Sequence, residues 1–365
     1  MGPDMRNSAF QIAVLPGDGI GVEVMDACLA VLDAARVEVG GFTLATERLP
    51  GGALHYRDAG EALPQATFRR CESADAILFG AMGWPDIRYP DGTEIAPQLD
   101  LRLRLGLYAG VRPIRALPGG PAVLADPRAA GIDLVILRES TEGLFASRGK
   151  GEVIDDREAR DTQVITRATS ERLFDFAFAL AARRKAEGRP GRVTCVDKAN
   201  VFRSFAFFRG IFDERAARFP DVEARHHYVD ACALDLVRRP WDFDVLVTEN
   251  MFGDILSDLA AGLIGGMGFA PSADIGDGHG LFQPSHGTAP DIAGKGIANP
   301  VAMILSGALM LRWLGERHDV AACGEAARRI EAAVDAALGR DGARPYDAGG
   351  RDGTAAIARA VIEAL

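Results

Sequence analysis

Along this chain the apolar positions switch between two periods. "FQIAVLPGDG" (residues 10–19) is a short apolar run closed by a glycine turn, and "GVEVMDACLAVLDAAR" (21–36) spaces its apolar residues three and four apart. Those periods predict a buried strand followed by a helix with one apolar face. The strand-like signal returns at "ADAILFGAMG" (74–83), "GIDLVILRES" (131–140), "GRVTCVDKAN" (191–200), "HHYVDACALDLV" (226–237) and "FDVLVTEN" (243–250). Each is a β-rich apolar run that stops at glycine or at polar residues. Strands alternating with helices predict an α/β fold. In such sheets ligands gather beyond the carboxyl ends of the strands. Those ends carry Arg138 and Glu139, Lys198 and Asn200, Asp230, then Glu249 and Asn250.

The pattern breaks at 148–168, "RGKGEVIDDREARDTQVITRA", a charge-rich interruption that reads as a linker, a flexible loop or an arm pairing with another subunit. From about residue 316 the chain is alanine-rich and helical, with a glycine-rich break at "DAGGRDG". The longest apolar run, "VAMILSGALML" (301–311), is too short to span a bilayer. The first eight or so residues read as a tail without the apolar core of a signal peptide. A net charge of −10 makes nucleic acid an unsuitable partner. The five cysteines are far apart with no CxxC, which fits reduced, buried thiols and a cytoplasmic protein.

One helical-looking segment holds the first chemical signal. "TENMFGDILSDLA" (248–260) sets Asp254 and Asp258 four apart, with no lysine or arginine in the segment. On a helix both carboxylates share a face, where like charges are destabilising by a few tenths of a kcal/mol. "LDLRLRLGLYAGVRP" adds Arg102, Arg104 and Arg112 in an apolar context, and Arg138 stands at a strand end. Arginine forks match carboxylates. Arginines that converge in an acidic chain suit a di-anionic small molecule, and the aspartates suit a hard divalent cation, Mg²⁺ or Mn²⁺. "GDGIGV" (17–22) fails the G-x-G-x-x-G fingerprint because Val22 stands where the last glycine belongs. A standard Rossmann domain is therefore not expected, and no P-loop is present. A metal-dependent enzyme and a non-catalytic binding protein both remain open on these residues alone.

Seven segments in order, "GDGIG", "LRLRLGLYAGVRP", "RESTEGLF", "DKANVF", "YVDACALDL", "TENMFGDILSDLAAGLIGGMG" and "HGTAPDIAGKGIANP", resemble the β-decarboxylating dehydrogenases of the isocitrate/3-isopropylmalate/tartrate dehydrogenase family. The likeness runs from about residue 11 to the end. It implies a two-domain α/β isopropylmalate-dehydrogenase-like fold: 1–108 with 265–365 as the larger, cofactor-binding domain, and 109–264 as the substrate and dimerisation domain, with an arm at about 148–168. Arg102, Arg112 and Arg138 fall where the family clamps two substrate carboxylates. Gln98 and Leu99 fall beside the substrate's third substituent. Asp254 and Asp258 match metal ligands, and Asp230 matches a third aspartate given by the neighbouring subunit. Lys198 matches the catalytic lysine, also from the neighbour, so the resemblance implies a homodimer with shared active sites. His286, Gly287, Thr288, Ala289, Asp291 and Asn299 fall in the family's cofactor loop. Asp291 implies NAD, since a carboxylate accepts from ribose hydroxyls and repels a 2′-phosphate.

The implied reaction is oxidative decarboxylation of a malate-type 2-hydroxy-3-carboxy acid, of the 3-isopropylmalate, D-malate or tartrate class. Isocitrate or homoisocitrate is the alternative, and a non-catalytic dimeric relative the different-class one. Two departures stand out. Phe145 occupies the place of the family's proton-donating tyrosine and has no O–H. In "EIAPQLDLR" Gln98 replaces a leucine beside the third substituent, and the serine used for isocitrate's extra carboxylate has no counterpart. The glutamine and the missing serine lean toward a malate- or tartrate-like substrate with a small or polar group at C3.

Overall fold

Runs of Val, Ile, Leu and Ala buried on both sides suit strands covered by helices on two faces. The computed structural model describes residues 8–339 and 342–365. The expected N-terminal tail therefore lies outside the described residues, apart from Ser8. The strands are β1 (Ser8–Gly17), β2 (Phe42–Arg48), β3 (Ala76–Ala81), β4 (Ala109–Arg115), β5 (Asp133–Glu139), β6 (Glu152–Ile154), β7 (Glu158–Arg160), β8 (Arg192–Asp197), β9 (Glu223–Tyr228), β10 (Val245–Thr248), β11 (Pro271–Ile275) and β12 (Gly280–Pro284). The helices are α1 (Gly21–Val39), α2 (Ala53–Ala59), α3 (Gln65–Ser73), α4 (Pro97–Leu105), α5 (Arg167–Ala186), α6 (Arg203–Ala216), α7 (Val229–Arg238), α8 (Asn250–Leu263), α9 (Val301–His318), α10 (Ala321–Ala337) and α11 (Thr354–Glu363). None of the described helices is long and apolar enough to cross a membrane.

Ten strands form one sheet in the order β2-β1-β3-β12-β11-β4-β5-β10-β8-β9. The outer pairings are parallel, while β12–β11, β11–β4 and β4–β5 are antiparallel. The two chain ends supply β2 to β11 of that order and the middle of the chain supplies β4 to β9. They meet at β11–β4, a seam of three residue pairs: Ala273 with Val111, Asp274 with Gly110, and Ile275 with Ala109.

The glycine turn after β1 has a packing role. Gly19 has φ +56°, and an added Cβ would stand 2.1 Å from the Thr288 carbonyl oxygen. The next residue, Ile20, donates its N–H to that same oxygen at 2.9 Å. "GDGIG" thus grips the 286–299 loop backbone to backbone. The interruption at 148–168 contains an antiparallel hairpin, β6 with β7, whose turn places Asp155 and Asp156 at positive φ.

One expected strand is shorter than its sequence suggests. In "HHYVDACALDLV" β9 ends at Tyr228, and Asp230 lies in the first turn of α7. Cys232 and Leu236, four apart, are the apolar residues that α7 buries. That is a helical period, and it starts directly after β9, whose residues are exposed apart from the half-buried His227.

Candidate active site

Three arginines arrive from three elements, Arg102 from α4, Arg112 from β4 and Arg138 from the end of β5, and all are buried. A guanidinium taken out of water needs a counter-charge. Asp274, wholly buried on β11, supplies it. Its carboxylate accepts from Arg102 Nε at 3.0 Å, Gln283 Nε2 at 2.9 Å and Ser140 Oγ at 3.2 Å, with Arg112 Nη2 at 3.5 Å. Burial pushes the Asp274 carboxyl up, but the charges of Arg102, Arg112 and Arg138 outweigh it and hold it below the usual range. Burial, with repulsion from Arg102 and Arg112, brings Arg138 down to about 10. Arg112 is lowered chiefly by burial, against the pull of Asp274. Arg112 also donates from Nη1 to the Ala273 carbonyl at 3.0 Å. Among the described hydrogen bonds Arg102 uses its Nε alone, which leaves both terminal nitrogens for a ligand carboxylate.

Asp254 and Asp258 do lie one turn apart, on α8. The helix begins at Glu249, whose side chain accepts from Phe252 N at 2.8 Å. It approaches β5 closely because residue 253 is glycine: an added Cβ there would stand 2.6 Å from Arg138 Cβ. That approach brings Asp254 against Arg138 as an ion pair. Asn250 Oδ1 accepts from Arg138 Nη2 at 2.7 Å and Nε at 3.0 Å. The like-charge pair therefore has a cation beside it after all, contributed by a strand more than a hundred residues earlier. Asp258 keeps the imbalance: burial first, and Asp254 second, push its carboxyl up. Among the described residues no three His, Cys, Asp or Glu side chains gather to hold a metal ion. Within one chain the two helix carboxylates stand without a third.

Lys198 and Asp230 are held together elsewhere, at the ends of β8 and β9. Lys198 Nζ donates to Asp230 Oδ1 at 2.6 Å, and that bond depresses the Asp230 carboxyl. Neither residue has a hydrogen bond or ion pair with the arginine cluster among the described residues. Asp197 anchors their loop: it is wholly buried, paired with Arg209 and accepting from Ala199 N at 2.7 Å. Phe145 does join the arginines, its ring centre 5.1 Å from the Arg138 guanidinium carbon. Gln98 and Leu99 sit half-buried on α4, and Gln98 Oε1 is shielded from water with no hydrogen-bond partner.

The 286–299 loop is held by its backbone. Thr288 is buried, Ala289 takes φ +38°, and Ile292 N closes a turn on Ala289 O at 3.1 Å. Gly287 and Asp291 are exposed, and Asp291 makes no side-chain hydrogen bond among the described residues. His286 Nδ1 donates to the Gly287 carbonyl oxygen at 2.9 Å, while its Nε2 is shielded and unpartnered. Burial lowers its pKa and so disfavours the charged ring. Asn299 is turned inward: its Nδ2 donates to Asp347 and its Oδ1 accepts from Val301 N at 3.0 Å, at the start of α9.

With this geometry in view, the comparisons are decisive. The family model described as isocitrate/isopropylmalate dehydrogenase matches residues 11–365. This chain belongs to that family. A 3-isopropylmalate/3-methylmalate dehydrogenase of Methanocaldococcus jannaschii is 44% identical over 97% of this chain and 98% of its own length. A 3-isopropylmalate dehydrogenase of Pseudoalteromonas translucida is 43% identical over 92% of each. The solved isocitrate dehydrogenase of Methylococcus capsulatus superimposes with a TM-score of 0.84 at 38% identity, covering 97% of this chain and 99% of that one. A β-decarboxylating dehydrogenase of Thermococcus kodakarensis gives 0.79 at 39% identity, covering 97% and 96%. The chain is an oxidoreductase of the isopropylmalate dehydrogenase-like kind with the mixed α/β fold of these structures.

Sequence reasoning missed Asp274, the charge behind the arginines, with its partner Gln283. The signal was available as an acid inside the apolar run "FAPSADI". Asn250 reads from the sequence as a strand-end residue, and only the fold shows it as the acceptor for Arg138.

Proposed function

We propose that the protein oxidises and decarboxylates a malate-type 2-hydroxy-3-carboxy acid with NAD⁺ and a divalent cation, Mg²⁺ or Mn²⁺. The observation that carries this reading is the set of three buried arginines facing an aspartate pair on one helix. Asp274 holds two of those arginines rigid, and the terminal nitrogens of Arg102 would take a substrate carboxylate bidentately.

The residues present fit both groups. The raised carboxyl of Asp258 beside Asp254 is relieved by a hard cation, and the unpartnered His286 Nε2 and unbonded Asp291 suit a nucleotide. Asp254 and Asp258 would hold the metal with Asp230 of a second copy. His286, Gly287, Thr288, Ala289 and Asp291 would hold NAD, with Asn299 keeping the loop in place. When bound, the cation polarises the 2-hydroxyl and NAD⁺ accepts the hydride. Lys198 takes the hydroxyl proton, directly or through water. The arginines orient the leaving carboxylate and keep the remaining one fixed. Phe145 cannot return a proton to the product carbon, so Lys198 or a water does.

Shared sites in a homodimer complete the reading. Ile255 on α8 and Leu234 and Val237 on α7 are apolar and 60%, 55% and 46% exposed. Exposed apolar residues on two helices that touch each other suit burial against a second copy. The β6–β7 hairpin is exposed, and an isolated two-stranded ribbon is marginal in water, so it too suits pairing with its counterpart. We read 109–264 as the substrate and dimerisation unit and the two chain ends as the cofactor unit.

A panel of D-malate, tartrates, isocitrate, homoisocitrate and 3-isopropylmalate, each with NAD⁺ and Mn²⁺, tests the reaction through NADH absorbance. Turnover of none, or turnover unaffected by EDTA, rejects it. Mixing Lys198→Ala with Asp254→Asn protein tests the sharing. Mixed dimers would own one intact site, and activity would recover to about a quarter of wild type after exchange; no recovery rejects shared sites.

A further inference from the structure

The sheet seam that carries the arginines has a second face. A cavity of about 290 Å³ lies behind it, lined on β4 by Val111, Pro113 and Arg115. Arg112, between them, reaches Asp274 instead. On β11, Pro271, Ala273 and Ile275 line the cavity while Asp274 turns to Arg102. Successive strand residues take opposite faces, so the cavity and the arginine cluster lie on opposite sides of the same two strands. Helices wall it: Phe176 and Leu180 of α5 on one side, and Leu309 and Trp313 of α9 on the other.

The lining is more apolar than polar, and its charged members, such as Arg115, Asp133, Arg184 and Arg189, stand beside two ion pairs between the helices. Two ion pairs cross from α5 and the residue after it to α9, Arg183 to Glu316 at 3.8 Å and Arg312 to Glu187 at 3.6 Å. Both distances exceed a hydrogen bond. Arg312 is also bonded to Glu331 at 2.8 Å, but Arg183 makes no side-chain hydrogen bond among the described residues. Arg183 and Glu316 are 46% and 47% exposed, and an exposed pair of that kind contributes little. A carboxylate entering the mouth can therefore replace Glu316 on Arg183 with better geometry. The volume, with apolar side chains on both helices and both strands, suits a small molecule with an apolar body.

We propose that this cavity binds a small amphipathic monocarboxylate, an aliphatic or aromatic body of about ten non-hydrogen atoms whose carboxylate pairs with Arg183. The apolar body lies against Val111, Pro113, Leu180, Leu309 and Trp313. The proposal does not depend on which hydroxyacid the front face turns over.

Isothermal titration of the intact protein with octanoate and with octanamide tests it. One saturable site per chain is expected for octanoate, with the amide about tenfold weaker because the charge-assisted bond is lost. Leu309→Trp fills the chamber and should abolish binding of both. Arg183→Gln, an exposed change that leaves folding intact, should weaken octanoate to the level of the amide. No saturable site, equal affinity of acid and amide, or displacement of octanoate by D-malate would overturn the proposal. Octanoate affinity unchanged in Arg183→Gln overturns it too, and that variant keeps the test alive if Leu309→Trp fails to fold.

Discussion

Replacing Asp274 by asparagine removes one charge and no volume. The wild-type carboxylate is fully buried and receives Arg102, Gln283, Ser140 and, at longer range, Arg112. Asparagine leaves Arg102 and Arg112 buried without their counter-ion, and its NH₂ points donors at donors. Breaking a buried pair by removing one partner costs about 3–5 kcal/mol. At about 2 °C per kcal/mol for a large chain, the melting temperature should fall by roughly 6–10 °C at neutral pH. The loss also has a pH signature. The Asp274 carboxyl is held below its ordinary 3.8 in the fold, so its contribution is present above that value and is lost as pH falls through the folded pKa. The gap between the two proteins should therefore close below about pH 4. Scanning fluorimetry across pH, without ligands, is the measurement. A dicarboxylate should stabilise the variant more than the wild type, because it brings negative charge to the same guanidiniums. A fall under about 2 °C at neutral pH, or a gap independent of pH, would show that the arginines are balanced by something other than Asp274.

Other outcomes follow from the same geometry. In the folded chain the Asp258 carboxyl is raised, so the stability it contributes below its unfolded pKa is lost as pH rises through the folded value; with EDTA present, Asp258→Asn should melt higher than wild type at pH 7 yet lose its thermal response to Mn²⁺. A lower melting temperature would contradict that electrostatic picture. Asp291 stands exposed and unbonded, so kcat/KM should favour NAD⁺ over NADP⁺, and Asp291→Arg should narrow or reverse the ratio; an unchanged ratio places the ribose elsewhere. With Phe145 against Arg138, CO₂ should still appear one-to-one with NADH at a reduced rate, since one general acid is worth about 10²–10⁴. Phe145→Tyr should raise or preserve the rate of the protonation step, and a CO₂ yield well below the NADH yield would mean that the β-keto acid escapes.

What the sequence determined by itself is what short-range periodicity and long motifs encode. Alternation of buried runs with helical spacing was enough for the α/β class, and "TENMFGDILSDLA" put Asp254 and Asp258 on one helix face, as α8 does. The failed glycine fingerprint at 17–22 agrees with a fold that is not a standard Rossmann domain, and in the structure that turn closes on the Thr288 backbone. Tertiary structure decided the rest because charge balance in a buried site is not local. Arg102, Arg112 and Asp274 meet across as many as 172 positions, and no window of sequence shows which acid faces which arginine. The same holds for Asp254, which looked unrelieved until β5 and Gly253 brought Arg138 beside it. The boundary at Tyr228 differs for a related reason: a strand and a helix abut there without a breaker residue, and the burial of Cys232 and Leu236 on α7, which no local signal shows, favours the helix.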